Sequence, residues 1–254
     1  GQGSTAVKVL FSNPPWWDAI IGEPPNEMWR AGCRAGSRWP WTYVGISKPD
    51  RFRFGDYLPY PFFMGAATTY VARETGASVH FRDSIALKES YEKYFKYIRS
   101  ERFDYIFIES ATPSWETDEQ IIRNIHQISP ETRIVITGPI TAAKGPEILE
   151  TLPVHACIKG EYEKGSVRVI NGESGMIDFA LLTKEEMNAA PYPYYDALHA
   201  KRYWDACPEG QQRPHAQVLS SRGCPYKCIF CVWPATMTGN DPDGKGKRRV
   251  RQYS

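Results

Sequence analysis

Residues 105–138 read YIFIESATPSWETDEQIIRNIHQISPETRIVITG, and the reading of this stretch decides the fold. Tyr105-Ile-Phe-Ile108 is a short apolar run of aromatic and β-branched residues, as in a strand buried on both faces. A small and polar segment follows, Ser110-Ala-Thr-Pro-Ser114. Thr117-Asp-Glu-Gln120 then has the capping-box pattern, and Ile121, Ile122, Ile125 and Ile128 recur at helical spacing until Pro130. A second apolar run, Arg133-Ile-Val-Ile136, closes on Thr137-Gly138. Strand, loop, amphipathic helix and strand make a βαβ unit, which implies parallel strands joined by a right-handed crossover.

The alternation extends in both directions. Residues 7–11 form a compact strand stopped by Asn13-Pro14-Pro15. Residues 61–74 predict a helix with Met64, Ala67, Tyr70 and Val71 inward and Gly76 as its C-cap. A strand at 78–82 and a helix at 88–99, burying Tyr91, Tyr94, Phe95 and Ile98, lead into the quoted stretch. Beyond it lie a short helix at 146–152 and a strand at 155–158 that opens into Lys159-Gly-Glu-Tyr-Glu163. The expected fold class is α/β: a doubly wound, Rossmann-like parallel sheet of five strands over residues 1–175, with helices on both faces. Ligands of such sheets bind beyond the carboxyl ends of the strands, which here means the loops at 13–15, 110–114, 137–141 and 160–163. No Gly-x-Gly-x-x-Gly follows residues 7–11 and no Walker loop is present, which disfavours nicotinamides and nucleoside triphosphates.

Residues 16–60 carry many Trp, Pro, Arg and Gly residues without sustained periodicity, and loops of that length are usually functional or disordered. Trp29, Arg34, Arg38, Trp39 and Trp41 suit the cover of a flat cofactor and equally an ordinary packed surface. Composition is that of a globular protein, 42% hydrophobic and 24% charged. A formal charge of +2 gives no reason to expect nucleic acid or a membrane surface as partner, and the basic run at 245–251 reads as a solvated segment. No apolar run approaches the roughly 18 residues of a membrane span. The cysteines at 33, 157, 207, 224, 228 and 231 do not resemble a disulfide framework, so a reducing, cytoplasmic setting is expected.

Past residue 175 the chain changes character. Residues 176–213, interrupted by Pro191, Pro193 and Pro208, read as a linker, and residues 215–219 as a short strand. That strand runs into residues 220–231, Ser-Ser-Arg-Gly-Cys-Pro-Tyr-Lys-Cys-Ile-Phe-Cys, a CxxxCxxC pattern. Three thiolates so close together, flanked by Gly223 and Pro225, can wrap one inorganic centre. A 4Fe-4S cube has four irons, so three cysteines leave one iron open, and an open coordination position is a chemical site. A zinc site completed by Cys207 or His215 is the other reading of these residues, although structural zinc more often uses separated CxxC pairs.

Cys224, Cys228 and Cys231, with Phe230 before the last, resemble the cluster motif of the radical S-adenosylmethionine enzymes, and the chain as a whole resembles the front of their cobalamin-dependent branch. The resemblance implies three cofactors: a 4Fe-4S cluster on those cysteines, S-adenosylmethionine on the open iron near Phe230, and cobalamin. It places the corrin or its nucleotide tail against Ser110, Thr112, Ser114, Gly138, Thr141, Gly160 and Glu161. It further implies an electron donor such as flavodoxin or ferredoxin and a small-molecule or peptide substrate. The implied activity is methyl transfer from methylcobalamin to an unactivated carbon, after hydrogen abstraction by a 5'-deoxyadenosyl radical. Relatives that cyclise or rearrange rings share the architecture, and a non-catalytic cobalamin-binding module is the alternative from another class. The Asp-x-His-x-x-Gly motif of cobalamin mutases is missing, so the cobalt is expected to lack a histidine on its lower face. Ala190-Pro-Tyr-Pro-Tyr-Tyr-Asp196 resembles the connector that precedes the barrel in this family. Residues 214–254 would then be the start of the radical domain; since a complete eight-unit barrel takes about 250 residues, the chain is expected to be a fragment, inactive alone.

Overall fold

The computed structural model describes residues 5–19, 29–31, 59–87, 89–203, 216, 218–226, 228, 230–231, 234–239 and 250–254. Strand β1 (Lys8–Asn13) is followed by a small antiparallel pair, β2 (Trp17–Ala19) and β3 (Trp29–Ala31), and then by helix α1 (Phe62–Thr75). Next come β4 (Ser78–Asp83), α2 (Tyr91–Glu101), β5 (Tyr105–Glu109), α3 (Trp115–Ile128), β6 (Arg133–Thr137), α4 (Ile140–Thr151), β7 (Ala156–Ile158), α5 (Glu163–Ile170) and β8 (Gly175–Ile177). The main sheet has the order β4-β1-β5-β6-β7-β8, and each of its pairings is parallel.

The sheet therefore has six strands rather than five. The addition is β8, which pairs Gly175, Met176 and Ile177 with Ala156, Cys157 and Ile158 after α5 has made the crossover. Its three residues contain one β-branched side chain and follow a Gly- and Ser-containing turn, so they give almost no strand signal. Two other boundaries move. Helix α3 begins at Trp115, straight out of a 3-10 turn at Thr112–Ser114, so Thr117 lies inside the helix and caps nothing. Helix α4 begins at Ile140 and runs through Pro146, because a proline within a helix removes one hydrogen bond without preventing the packing of the turns on either side.

Alternate residues of each strand supply two cores, one per face. Val9, Phe11, Tyr105, Phe107, Val135 and Ile158 pack under α1 and α5, with Phe11 stacked on Phe107 at 4.7 Å between ring centroids. Leu10, Ile106, Ile108, Ile134 and Ile136 pack under α2, α3 and α4. Burial on both faces is why these strands read as continuous apolar runs instead of alternating ones. Helix α1 closes as its sequence implies, with Gly76 in the left-handed region at φ +65 and its N–H bonded to Ala72 O.

The segment after β8 lies down on the sheet domain. Helix α6 (Lys184–Ala189) opens with a true capping box, Thr183 with Glu186, and α7 (Ala197–Ala200) is capped by Asp196. Tyr195 stacks on Tyr60 at 4.3 Å, Tyr194 packs on Phe81, and the Tyr60 hydroxyl donates to Tyr194 O. Among the described residues no helix is long and apolar enough to cross a membrane. Ala216, Val218 and Leu219 carry no strand; instead β9 (Ser221–Arg222) pairs antiparallel with β10 (Arg251–Gln252). Most of residues 16–60, including Arg34, Arg38, Trp39 and Trp41, and also Cys33, Cys207 and His215, lie outside the described residues, and Trp29 is described only in its backbone.

Candidate functional site

The sheet order reverses between β1 and β5: the chain first winds outward to β4 and then returns to the other side of β1. Crossovers leave such a point in opposite directions, so a crevice opens beyond the carboxyl ends of those two strands. A buried polar row lines it. Asn13 is paired in register with Asp83 and Glu109 with Thr137, one step past the paired Ser12 and Ile108. Asn13 Nδ2 donates to Asp83 Oδ1 at 2.9 Å, and Asp83 also accepts from Tyr203 Oη at 2.8 Å and from Ala86 N at 3.2 Å. Burial pushes the Asp83 carboxyl up, and these three donors pull against it. Tyr162 Oη donates to Glu109 Oε2 at 3.0 Å; burial, and then the Glu109 charge, raise the phenol well above its ordinary range. Asn13 Oδ1 is buried and has no hydrogen-bond partner among the described residues.

The residues expected to touch cobalamin do lie at this carboxyl edge, but most of their polar atoms are already engaged by the protein. Ser110 Oγ and Ser114 Oγ both donate to Asp118 Oδ2, at 2.6 and 2.9 Å, and all three side chains are buried. Thr141 Oγ1 sits 2.8 Å from Gly138 O and 2.9 Å from Ile158 O, fastening the start of α4 to β7. Gly138 has φ +88, and a Cβ there would stand 2.5 Å from Ser110 O, so the β5 and β6 loops touch through their backbones. Gly160 lies beneath Met237 O and the Phe179 ring. Thr112 is exposed.

Glu161 belongs to a different cluster. It pairs with Arg251, and Arg222 Nη1 lies 3.4 Å from Glu161 Oε2 and 2.6 Å from Glu163 Oε1. Arg222 is 4% exposed, and its guanidinium also stands 5.6 Å over the Phe63 ring of α1. Burial raises the Glu163 carboxyl while Arg222 lowers it; burial would weaken the Arg222 cation, but Glu163 and Glu161 hold it charged. Removing one partner of such a buried pair costs about 3–5 kcal/mol, because the other charge is left uncompensated. Arg251 is thus a buried-cluster residue and not part of a solvated basic run. Sequence alone offered one hint, a cation placed directly before Gly223-Cys224 after a stretch without charges.

Cys224 and Cys228 are exposed, Cys231 is half-buried, and none is in a disulfide. Cys231 N–H donates to Cys228 O at 3.0 Å, closing a turn between them. Phe230 is 87% exposed. Among the described residues no three His, Cys, Asp or Glu side chains converge closely enough to hold a metal ion. Cys157 is buried beneath α4, and burial pushes its thiol up to about 12, so it is not available as a thiolate.

No protein-family model matches this chain, and no curated protein matches its sequence. Among solved structures it is similar to the radical S-adenosylmethionine methyltransferase TsrM from Kitasatospora setae with tryptophan substrate and the analogue aza-SAM bound, at 13% identity and a TM-score of 0.40, over 64% of this chain and 25% of that one. It is also similar to the same enzyme with cobalamin and a [4Fe-4S] cluster bound, at 12% identity and a TM-score of 0.41, over 66% of this chain and 26% of that one. The chain therefore spans about a quarter of the length of those structures.

Proposed function

We propose that this chain is the front part of a cobalamin-dependent radical S-adenosylmethionine enzyme that transfers a methyl group to an unactivated carbon. The observation that carries the reading is the loop of Cys224, Cys228 and Cys231: three unpaired thiols in CxxxCxxC spacing, presented at the surface two residues beyond a buried anchor. The donor set fits a cluster with one open iron, since three thiolates, and no fourth, come from a single loop. When bound, the cluster supplies the electron that opens S-adenosylmethionine, and cobalamin supplies the methyl group.

The chain's own residues have narrower tasks. Cys231 N–H on Cys228 O fixes the turn that spaces two of the thiols. At the switch point, the orphaned acceptor of Asn13 suits the primary amides that ring a corrin, and the Gly138–Ser110 approach keeps that edge low enough for a flat ligand. Ser110, Ser114 and Thr141 shape the loops instead of donating to the ligand, and Glu161 holds the cysteine segment. This differs from the direct contacts first expected of them.

The test is anoxic reconstitution of the whole chain with iron and sulfide, followed by iron, sulfide and zinc analysis. About four irons per chain is the expected result, with Cys224→Ala, Cys228→Ala or Cys231→Ala abolishing retention and Cys157→Ala leaving it unchanged. Stoichiometric zinc and no iron in protein purified without oxygen refutes the proposal.

A further inference from the structure

Among the described residues between 218 and 231, one side chain is buried, and it is Arg222. The three thiols are exposed or half-exposed and so are the Tyr226 and Phe230 rings, so among the described residues of the loop no apolar side chain is packed to set its orientation. Arg222 instead is held from three directions: Glu163 at the start of α5, Glu161 just past β7, and the Phe63 ring of α1. Gly223 follows at φ +105, turning the backbone outward, and Cys224 emerges at once. Tyr253 N–H on Ser220 O at 2.9 Å and the β9–β10 pairing support the same point from the far side.

We infer that Arg222 is a positioning residue, which suspends the three-cysteine loop from the carboxyl edge of the sheet through Glu163 and Glu161 and so fixes where its metal centre stands. The inference rests on the reading of Cys224, Cys228 and Cys231 as cluster ligands. An arginine suits the role because its Nη1 donates to Glu163 and ion-pairs with Glu161 while its planar guanidinium lies over the Phe63 ring, a combination that a compact ammonium does not reproduce. The two glutamates need a cation between them, and the arginine is therefore retained in place by charge as well as by shape.

The experiment uses the full chain, reconstituted anoxically, as wild type, Arg222→Gln, Arg222→Lys and the double variant Arg222→Gln with Glu163→Gln. The double variant removes both members of one pair, so that no lone buried carboxylate is left to unfold α5. Three quantities are read: the rate at which a chelator strips iron, the change in the reduced cluster's electron paramagnetic resonance on adding S-adenosylmethionine, and hydrogen exchange at residues 221–223. Arg222→Gln and the double variant should lose iron at least about tenfold faster than wild type, as severing a buried charge pair speeds release of what it holds. They should also exchange faster at 221–223 and respond weakly to S-adenosylmethionine, with Arg222→Lys intermediate in all three. Iron-loaded wild type and a folded double variant with equal release rates and equal exchange overturn this inference alone. Wild type that takes up no iron overturns the cluster assignment and this inference with it.

Discussion

Gly138→Ala probes the point where the candidate edge is tightest. Gly138 has φ +88, where a residue with a Cβ pays about 1–2 kcal/mol, and the new methyl would stand 2.5 Å from Ser110 O and 3.0 Å from Ser110 N. Those are backbone atoms, so relief requires the β5 loop to move. That loop is tied across the same gap, with Ser110 N–H on Thr137 O at 2.9 Å and Ile140 N–H on Ser110 O at 3.3 Å. Overpacking of a fixed site costs about 1–3 kcal/mol, which gives an expected loss of about 2–5 kcal/mol altogether. Gly76→Ala is the matched control: φ is +65 there, but no atom lies within 4 Å, so only the conformational cost of about 1–2 kcal/mol should remain. The assay is urea unfolding of both variants at neutral pH, read as a shift in midpoint at constant slope. For a chain of this size each kcal/mol corresponds to about 2–4 °C in Tm, so thermal melts should separate the two variants clearly. Equal destabilisation at the two glycines would refute the argument, because the close approach of the β5 and β6 loops would then contribute nothing.

Asp118→Ala strands the buried hydroxyl of Ser110 and leaves Ser114 Oγ only its 3.3 Å bond to Ala111 O, so at about 1–3 kcal/mol per unsatisfied group it should cost at least about 1–3 kcal/mol in the same urea assay. A loss under 1 kcal/mol would mean that water or other groups replace the carboxylate. Asp196 has its carboxyl held below the ordinary aspartate value: burial opposes this, but hydrogen bonds from His199 N and Nδ1 prevail. A depressed folded value means stabilisation that is present above the unfolded value of about 3.9 and is lost as pH falls through the folded one. Asp196→Asn, which keeps the cap but not the charge, should therefore be less stable than wild type at pH 7, with the difference closing below about pH 4. A difference constant from pH 7 to pH 2 would assign it to packing.

The βαβ alternation was legible because both faces of the sheet are covered, and strands such as Arg133–Thr137 must then be apolar almost throughout. Strand β8 was not, because three residues joined to β7 by backbone bonds need no sequence pattern of their own. The loops at the carboxyl edge are legible in the sequence, whereas the protein partners of their side chains are not. Small polar residues are required there whether a hydroxyl faces a ligand or a carboxylate such as Asp118, and the two cases look alike in one dimension. For a related reason the sequence assigns Arg222 no role and makes Arg251 the end of a solvated run. Their partners, Glu161 and Glu163, lie some sixty to ninety residues earlier in the chain, and the only local signal is the isolation of Arg222 after a stretch without charges.

The end of β7 now connects matters that the sequence presented separately. Within four residues it carries Gly160, covered by Met237 O and Phe179, then Glu161 on Arg251 and Arg222, then Tyr162 on Glu109 at the switch point, then Glu163 on Arg222. Tyr162 thus points into the crevice between β1 and β5 while its two neighbours grip the strand that leads to Cys224. For the proposed reaction this matters more than any single contact, because a misplacement of about 1 Å between reacting groups can cost about 100-fold in rate. The described side chains of the cysteine loop are exposed or half-exposed and supply little packing to provide that accuracy. The segment after β7 offers an ionic grip instead: Glu161 and Glu163 hold Arg222, and Tyr162 between them is bonded to Glu109 at the end of β5, so the strand leading to Cys224 is tied to the edge at the switch point.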